Sequence, residues 1–550
     1  MRDSRDARER TSPADANQPP PLEDLDLFQT NRPLVEATER EGAGWILERA
    51  SSLGRQWGGG PLRWGYQANE NPPRLRTHDR YGNRIDEVEF HPAWHSLMAL
   101  AVEAELHALP WRSSEPGAHA ARAALYMTAI QAEAGFACPI TMTYAAVPAL
   151  RTEPELAAEW VPLLTATHYD PSLRPAAEKG AAICGMAMTE RQGGSDVQAN
   201  TTTAHPLAGE GEFELVGQKW FCSAPMSDAF LVLAQAEGGL SCFLLPRVLE
   251  DGTRNRFHIE RLKDKLGNRS NASSEVELDR AWARSVGPPG RGVQTIIEMV
   301  AHTRLDCAIG AAAGMRWGVA AATHHAAHRS AFGKLLIDAP LMRNVLADLC
   351  LESEAATALA MRLARCYDAP AEDERAQSLR RLATAVGKYW ICKRAPAHAA
   401  EALECLGGNG YVEESGMPRL YREAPLPSIW EGSGNVICLD VLRTLARSPQ
   451  ALDAFFEEVA SAHGAEARLD RFVATLRDEL TELDEIELRA RTLVERMALA
   501  LQASLLVRHA PPAVADAFCA ARLTDERGHA FGTLPRGCDL EAIIARALPL

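Results

Sequence analysis

Arg422-Glu423-Ala424-Pro425-Leu426-Pro427-Ser428-Ile429-Trp430-Glu431-Gly432-Ser433-Gly434-Asn435 is the stretch around which the chain is organised. Pro425 and Pro427 stop a helix arriving from upstream. The apolar run from Val436 to Leu442 restarts one, with Ser433 or Asn435 available to cap it. Between the two lies one carboxylate, Glu431, beside Trp430 and followed by glycines that let the backbone approach a ligand closely. A helix starting at such a turn offers free N–H groups and a positive dipole end to an anion or an electron-rich ring. A plain capped turn between two helices reads the same way, so the neighbouring segments must decide.

Upstream, Val293 to His328, Leu341 to Tyr367 and Gln377 to Leu406 repeat apolar residues at helical spacing. With the helix after Gly434 they make four, enough for a bundle. Earlier still, Phe213 to Trp220, Phe257 to Leu262 and Ser274 to Leu278 alternate, while Ala229 to Ala234 and Cys242 to Leu245 are short apolar runs. Such segments predict a small antiparallel sheet or barrel. Leu34 to Leu163 is helical in pattern. Beyond Pro449, Leu469 to Ala510 and Val514 to Leu523 are helical again, broken at Pro511-Pro512. Met1 to Glu23 mixes Arg with Asp and Glu, then runs into Pro19-Pro20-Pro21, with no apolar signal segment. The expected class is α+β: a disordered tail (1–33), an N-terminal helical domain (34–180), an antiparallel β domain (181–290), a four-helix bundle (291–448) and an extra helical domain (449–550).

Composition narrows the function. With 46% hydrophobic and 24% charged residues, the 550-residue chain reads as an ordinary soluble protein. No apolar run reaches the roughly 20 residues that span a bilayer. None of the 12 cysteines forms a C-x-x-C pair, which excludes the usual zinc and redox frameworks, and reduced thiols imply the cytoplasm. A net charge of −15 leaves room only for a local nucleic-acid patch. His324 and His328 share a helix face but lack an acidic third ligand nearby, so no metal site is expected.

Three further motifs stand in order along the chain. The loop from Met188-Thr189-Glu190 to Gly193-Gly194-Ser195-Asp196 offers N–H groups and hydroxyls to a polar heterocycle or phosphate, without the lysine of a P-loop. Lys219-Trp220-Phe221-Cys222-Ser223 ends a strand with an indole and a hydroxyl. Arg329, Phe332 and Lys334 close a long helix.

Together with Gly407-Gly408-Asn409-Gly410-Tyr411 and Trp430-Glu431-Gly432-Ser433, these motifs resemble the acyl-CoA dehydrogenase flavoprotein family, over roughly Ala120 to Arg447. The resemblance implies FAD. Met188 and Thr189 would meet the flavin edge, with Gly194 and Ser195 near flavin or substrate. Trp220 would stack at the isoalloxazine, with Phe221, Cys222 and Ser223 near its N5. Arg329, Phe332, Gly407 and Gly408 would hold pyrophosphate and adenine, partly across a subunit boundary. Trp430, Gly432, Ser433 and Asn435 would complete the cofactor site. Glu431 falls on the carboxylate that removes the proton α to a thioester while hydride leaves the β carbon for the flavin.

The departures are informative. Cys222 stands where threonine is usual and Glu404 where glutamine commonly meets the phosphates. With the long tail, the Lys263 to Ser273 segment and Tyr421-Arg422-Glu423, they resemble the AidB branch, tied to the bacterial response to DNA alkylation. That branch implies an FAD-binding homotetramer that binds double-stranded DNA through its C-terminal helices and has weak dehydrogenase activity on an acyl-CoA or an alkylating small molecule. Candidate DNA contacts are Arg443, Arg508, Arg522 and Arg527. Residues 451–550 carry 11 Arg, no Lys and 17 Asp plus Glu, so Arg–acid pairs on solvated faces are the competing reading. The rival functions are an active acyl-CoA dehydrogenase whose tail serves assembly, and a DNA-binding protein that FAD merely stabilises.

Overall fold

The computed structural model describes residues 17–526 and 528–549. Arg527 and residues 1–16 of the expected disordered tail lie outside the described residues. The tail expectation fails for 17–33: Leu27 and Phe28 are buried in the main hydrophobic core, and the first helix, Arg32–Arg40, begins inside this span. Two large apolar side chains one residue apart hold the segment down, where the proline-rich stretch before them suggests none of it.

Helices fill the region up to Leu164, as the periodicity predicts, with one exception. Strands β1 (Arg74–His78) and β2 (Arg84–Glu89) form an antiparallel hairpin. Its turn is set by Asp79, whose carboxylate accepts from the backbone N–H groups of Tyr81 and Asn83. The strands are largely polar, so the apolar alternation that reveals a strand is faint.

The β domain contains β3 (Cys184–Ala187), β4 (Thr203–Pro206), β5 (Glu212–Ser223), β6 (Ala229–Ala236), β7 (Gly239–Pro246), β8 (Phe257–Leu262) and β9 (Ser273–Val286), in the order β3-β6-β4-β5-β9-β7. Pairing of β7 back onto β6 closes five of them into a barrel, and β8 joins β9. The expectation of an antiparallel sheet needs correction, because β3 and β4 both run parallel to β6. The loop between them crosses over the end of β6 instead of turning back as a hairpin, and that loop is the one read above as a ligand loop.

The helix Gly292–His328 runs through the molecule beside Pro340–Cys366, Glu374–Glu404 and Gly434–Arg447. Pro340 opens one helix, and Asp373 caps another by accepting from the Ala376 N–H. The helices after Pro449 do not build a separate core. Phe455 and Phe518 belong to the same hydrophobic cluster as Leu359 and Ile391 of the bundle, since the outer faces of the bundle helices are themselves apolar. Among the described residues, no helix is long and apolar enough to cross a membrane.

Candidate functional site

A cavity of about 1360 Å³ opens where barrel, long helix and the Glu431 turn meet. Trp430, Glu431, Gly432 and Ser433 form part of its wall. Glu431 itself has φ +58° and Gly432 φ +100°. A left-handed non-glycine residue is held against its own preference, so the surroundings must fix it. They do so from both sides: Arg304 Nε donates to the Glu431 carbonyl at 3.0 Å and Lys388 Nζ to the Gly432 carbonyl at 2.6 Å. Arg304 is itself anchored by Asp440 at 2.7 Å.

The loop leaves the acid exposed to the cavity and little else. Glu431 Oε2 is buried and accepts no hydrogen bond. Burial pushes its pKa up, opposed by the Thr303 hydroxyl and by the charges of Arg304 and Lys388. Ser433 occupies the N-cap position of the following helix without a side-chain hydrogen bond, and Asn435 accepts from Arg491 at 2.9 Å.

Met188, Thr189, Gly194 and Ser195 line the same cavity. Their loop is fixed by Asn200 Nδ2 donating to the Met188 carbonyl and by the Trp220 N–H donating to Thr189. A side chain at Gly194 would bring its Cβ to 2.4 Å from Thr189 Oγ1, so the bare backbone belongs to the cradle. Under the loop, Glu190 is buried against Lys219 at 2.8 Å. Burial alone would raise the Glu190 carboxyl, but Lys219 and its other donors hold it at about 2.

The β5 wall differs from expectation. Phe221, half-exposed, and Ser223 line the cavity, whereas Trp220 and Cys222 do not. Cys222 is buried in the barrel core, and the Trp220 ring lies under Lys263 Nζ at 3.6 Å. The aromatic side chain that β5 presents to the cavity is therefore Phe221 and not Trp220. Register shifts in the β5–β9 ladder, one of them between Lys219 and Cys222, decide which residue faces which way.

Besides Trp220 and Cys222, five expected cofactor residues, Arg329, Phe332, Gly407, Gly408 and Asn435, do not line the cavity. Arg329 donates to the Asn17 carbonyl at 2.6 Å, Phe332 is fully exposed at a hairpin tip, and Gly407 and Gly408 are on the surface. Of the DNA candidates, Arg443 is exposed at the cavity wall and makes no ion pair among the described residues. Arg522 is corrected: it is buried against Asp348 and Glu352. Arg508 pairs with Glu458 at 2.9 Å and Arg527 lies outside the described residues. Sequence reasoning missed Arg304 and Lys388. A lysine inside the apolar stretch Ala383 to Cys392 was the available signal.

Family models match along most of the chain. The N-terminal domain of adaptive response protein AidB matches residues 17–171, the acyl-CoA dehydrogenase middle domain 185–281 and its C-terminal domain 290–446. The AidB protein of Escherichia coli (strain K12) is 47% identical over 515 residues, 93% of this chain and 94% of that one. The solved apo form of Bd2924 has 29% identity and a TM-score of 0.83 over 90% of this chain and 99% of its own. Caenorhabditis elegans ACDH-11, solved in complex with C11-CoA, has 26% identity and a TM-score of 0.81 over 96% of this chain and 92% of its own.

FAD is the cofactor of these dehydrogenases. The residues here fit it: a cavity large enough for a flavin and a second molecule, a glycine cradle, an aromatic wall at Phe221, and an unpartnered acid. Sequence match, fold and cavity agree, and the chain belongs to the acyl-CoA dehydrogenase family, in its AidB branch.

Proposed function

We propose that the protein is an FAD-dependent oxidoreductase acting on an acyl thioester, with Glu431 as the base. The observation that carries this reading is the buried, unpartnered oxygen of Glu431, a residue of the cavity wall. A carboxylate held out of water gains basicity, which removal of a weakly acidic α proton requires. Arg304 and Lys388 hold the turn that aims it. Met188, Thr189 and Ser195 would hold the flavin edge, with Phe221 against the ring and Ser223 beside it. Bound FAD would supply acceptance of the hydride from the β carbon. Ile130, Met142, Gly310 and Gly314 supply an apolar wall for an acyl chain. Anaerobic mixing with a panel of acyl-CoAs tests the reading: at least one should bleach the flavin, and Glu431→Gln should abolish bleaching. A flavin that no acyl-CoA reduces removes it.

A second reading is favoured by Arg443 and Arg447, exposed on the helix after Glu431 with no acid partner among the described residues. Unpaired arginines on one helix suit phosphate contacts. In this reading the protein is a tetramer that binds duplex DNA and protects it during alkylation stress, with dehydrogenase turnover slow. The AidB similarity supports it. Retention on duplex DNA with a steep salt dependence, lost in Arg443→Ala/Arg447→Ala, is the expected result. DNA binding indifferent to both substitutions removes this site.

A further inference from the structure

Lys265 lies in the cavity wall with no part in the readings above. Its Nζ donates to the Asn271 carbonyl at 2.5 Å and to Ser273 Oγ at 3.1 Å. Ser273 Oγ stands 3.2 Å from Ser223 Oγ, and both serines line the cavity beside Phe221. The lysine makes no ion pair among the described residues. The acids that face it are engaged elsewhere: Glu133 accepts from Ser270 Oγ and from the Gly135 and Phe136 N–H groups, and Glu423 from the Asn268 N–H. The neighbouring Cys138 thiol is pushed up to about 11 by burial and stays neutral. Burial lowers Lys265 to about 8, so at pH 7 most of its charge remains.

We propose that Lys265 sets the electron affinity of the flavin, its charge acting through Ser273 and Ser223 on the ring that these residues face. The proposal rests on the flavin reading above. A ring that receives hydride, or a nucleophile at N5, gains negative charge, and a nearby cation in a partly desolvated wall favours that state. Lys265 touches no reacting atom and is a positioning residue.

Sulfite provides the probe, because its sulfur forms a bond to N5 while an electron pair moves into the ring, giving an anionic adduct. Titrations at pH 7 on flavin-loaded protein read only molecules that hold the cofactor. Lys265→Met should bind sulfite at least about tenfold more weakly, and its two-electron equilibrium should shift about tenfold towards oxidised flavin. Lys265→Arg should stay within about threefold of the parent on both measures, since it keeps the charge. Unchanged values in Lys265→Met overturn the proposal, as does Lys265→Arg behaving like Lys265→Met. If Lys265→Met fails to hold flavin, Ser273→Ala decides: weaker sulfite binding supports the relay and unchanged binding overturns it. A parent protein that takes up no flavin at all defeats the functional reading instead.

Discussion

The Glu431 turn and the C-terminal helices treat charge in opposite ways. Around the turn, two buried ionisable groups lack opposite partners among the described residues: Glu431 has a free oxygen, and Lys388 donates to a backbone carbonyl. In the C-terminal helices, several arginines are matched to acids. Arg522 meets Asp348 and Glu352, Arg546 meets Glu36 and Glu354, and Glu458 takes both Arg362 and Arg508. A buried charge without a partner costs free energy that a paired one largely recovers. Unpaired groups persisting beside a cavity therefore mark chemistry, while the paired ones mark docking of the tail onto the bundle.

The largest expected effect falls on the unpaired side. Glu431→Gln keeps the shape and removes the base, so turnover of any accepted acyl thioester should fall about 10²–10⁴-fold with flavin content unchanged. Full activity in this variant would erase the distinction. Next comes the paired side: Arg522→Ala strands Asp348 in the core, while Glu352 keeps Arg394 at 3.0 Å, and should lower stability by about 3–5 kcal/mol in urea unfolding. A loss below about 0.5 kcal/mol would mean that the pair does not fasten the tail.

Smaller shifts sharpen the contrast. Lys388 lowers the pKa of Glu431, and the base works only when ionised. Lys388→Met should thus move the acid limb of the kcat/KM profile to higher pH. Glu423 offers a test through stability: burial, with Glu133 nearby, pushes it up to about 7 from 4.5. Its folded pKa lies above its unfolded value, so stability falls as pH rises from 4.5 through about 7. Thermal unfolding of Glu423→Gln should lose that slope. Smallest is the surface: Arg443→Ala should change stability by less than about 0.5 kcal/mol and lower the salt slope of DNA binding by about one. An equal slope change in Arg508→Ala would break the rule that paired arginines do not bind phosphate.

Much of the site was legible because its signals are local. Proline, glycine and a lone acid announced the Glu431 turn, and the glycine loop at Met188–Ser195 announced the cradle. Trp220 misled because β5 changes register near it, and a one-residue slip reverses which side chain faces the cavity. Arg522 misled for a related reason: nothing within its own helix reveals Asp348 and Glu352, which lie 174 and 170 positions away.

The order of helices, barrel and bundle, and the acid at the turn, were determined by the sequence alone, because periodicity and turn chemistry act over a few neighbouring residues. Which aromatic lines the cavity, which cations hold Glu431 in its left-handed conformation and which arginines remain free were decided only in three dimensions. Desolvation and pairing depend on groups brought together from distant parts of the chain, and no local pattern encodes them.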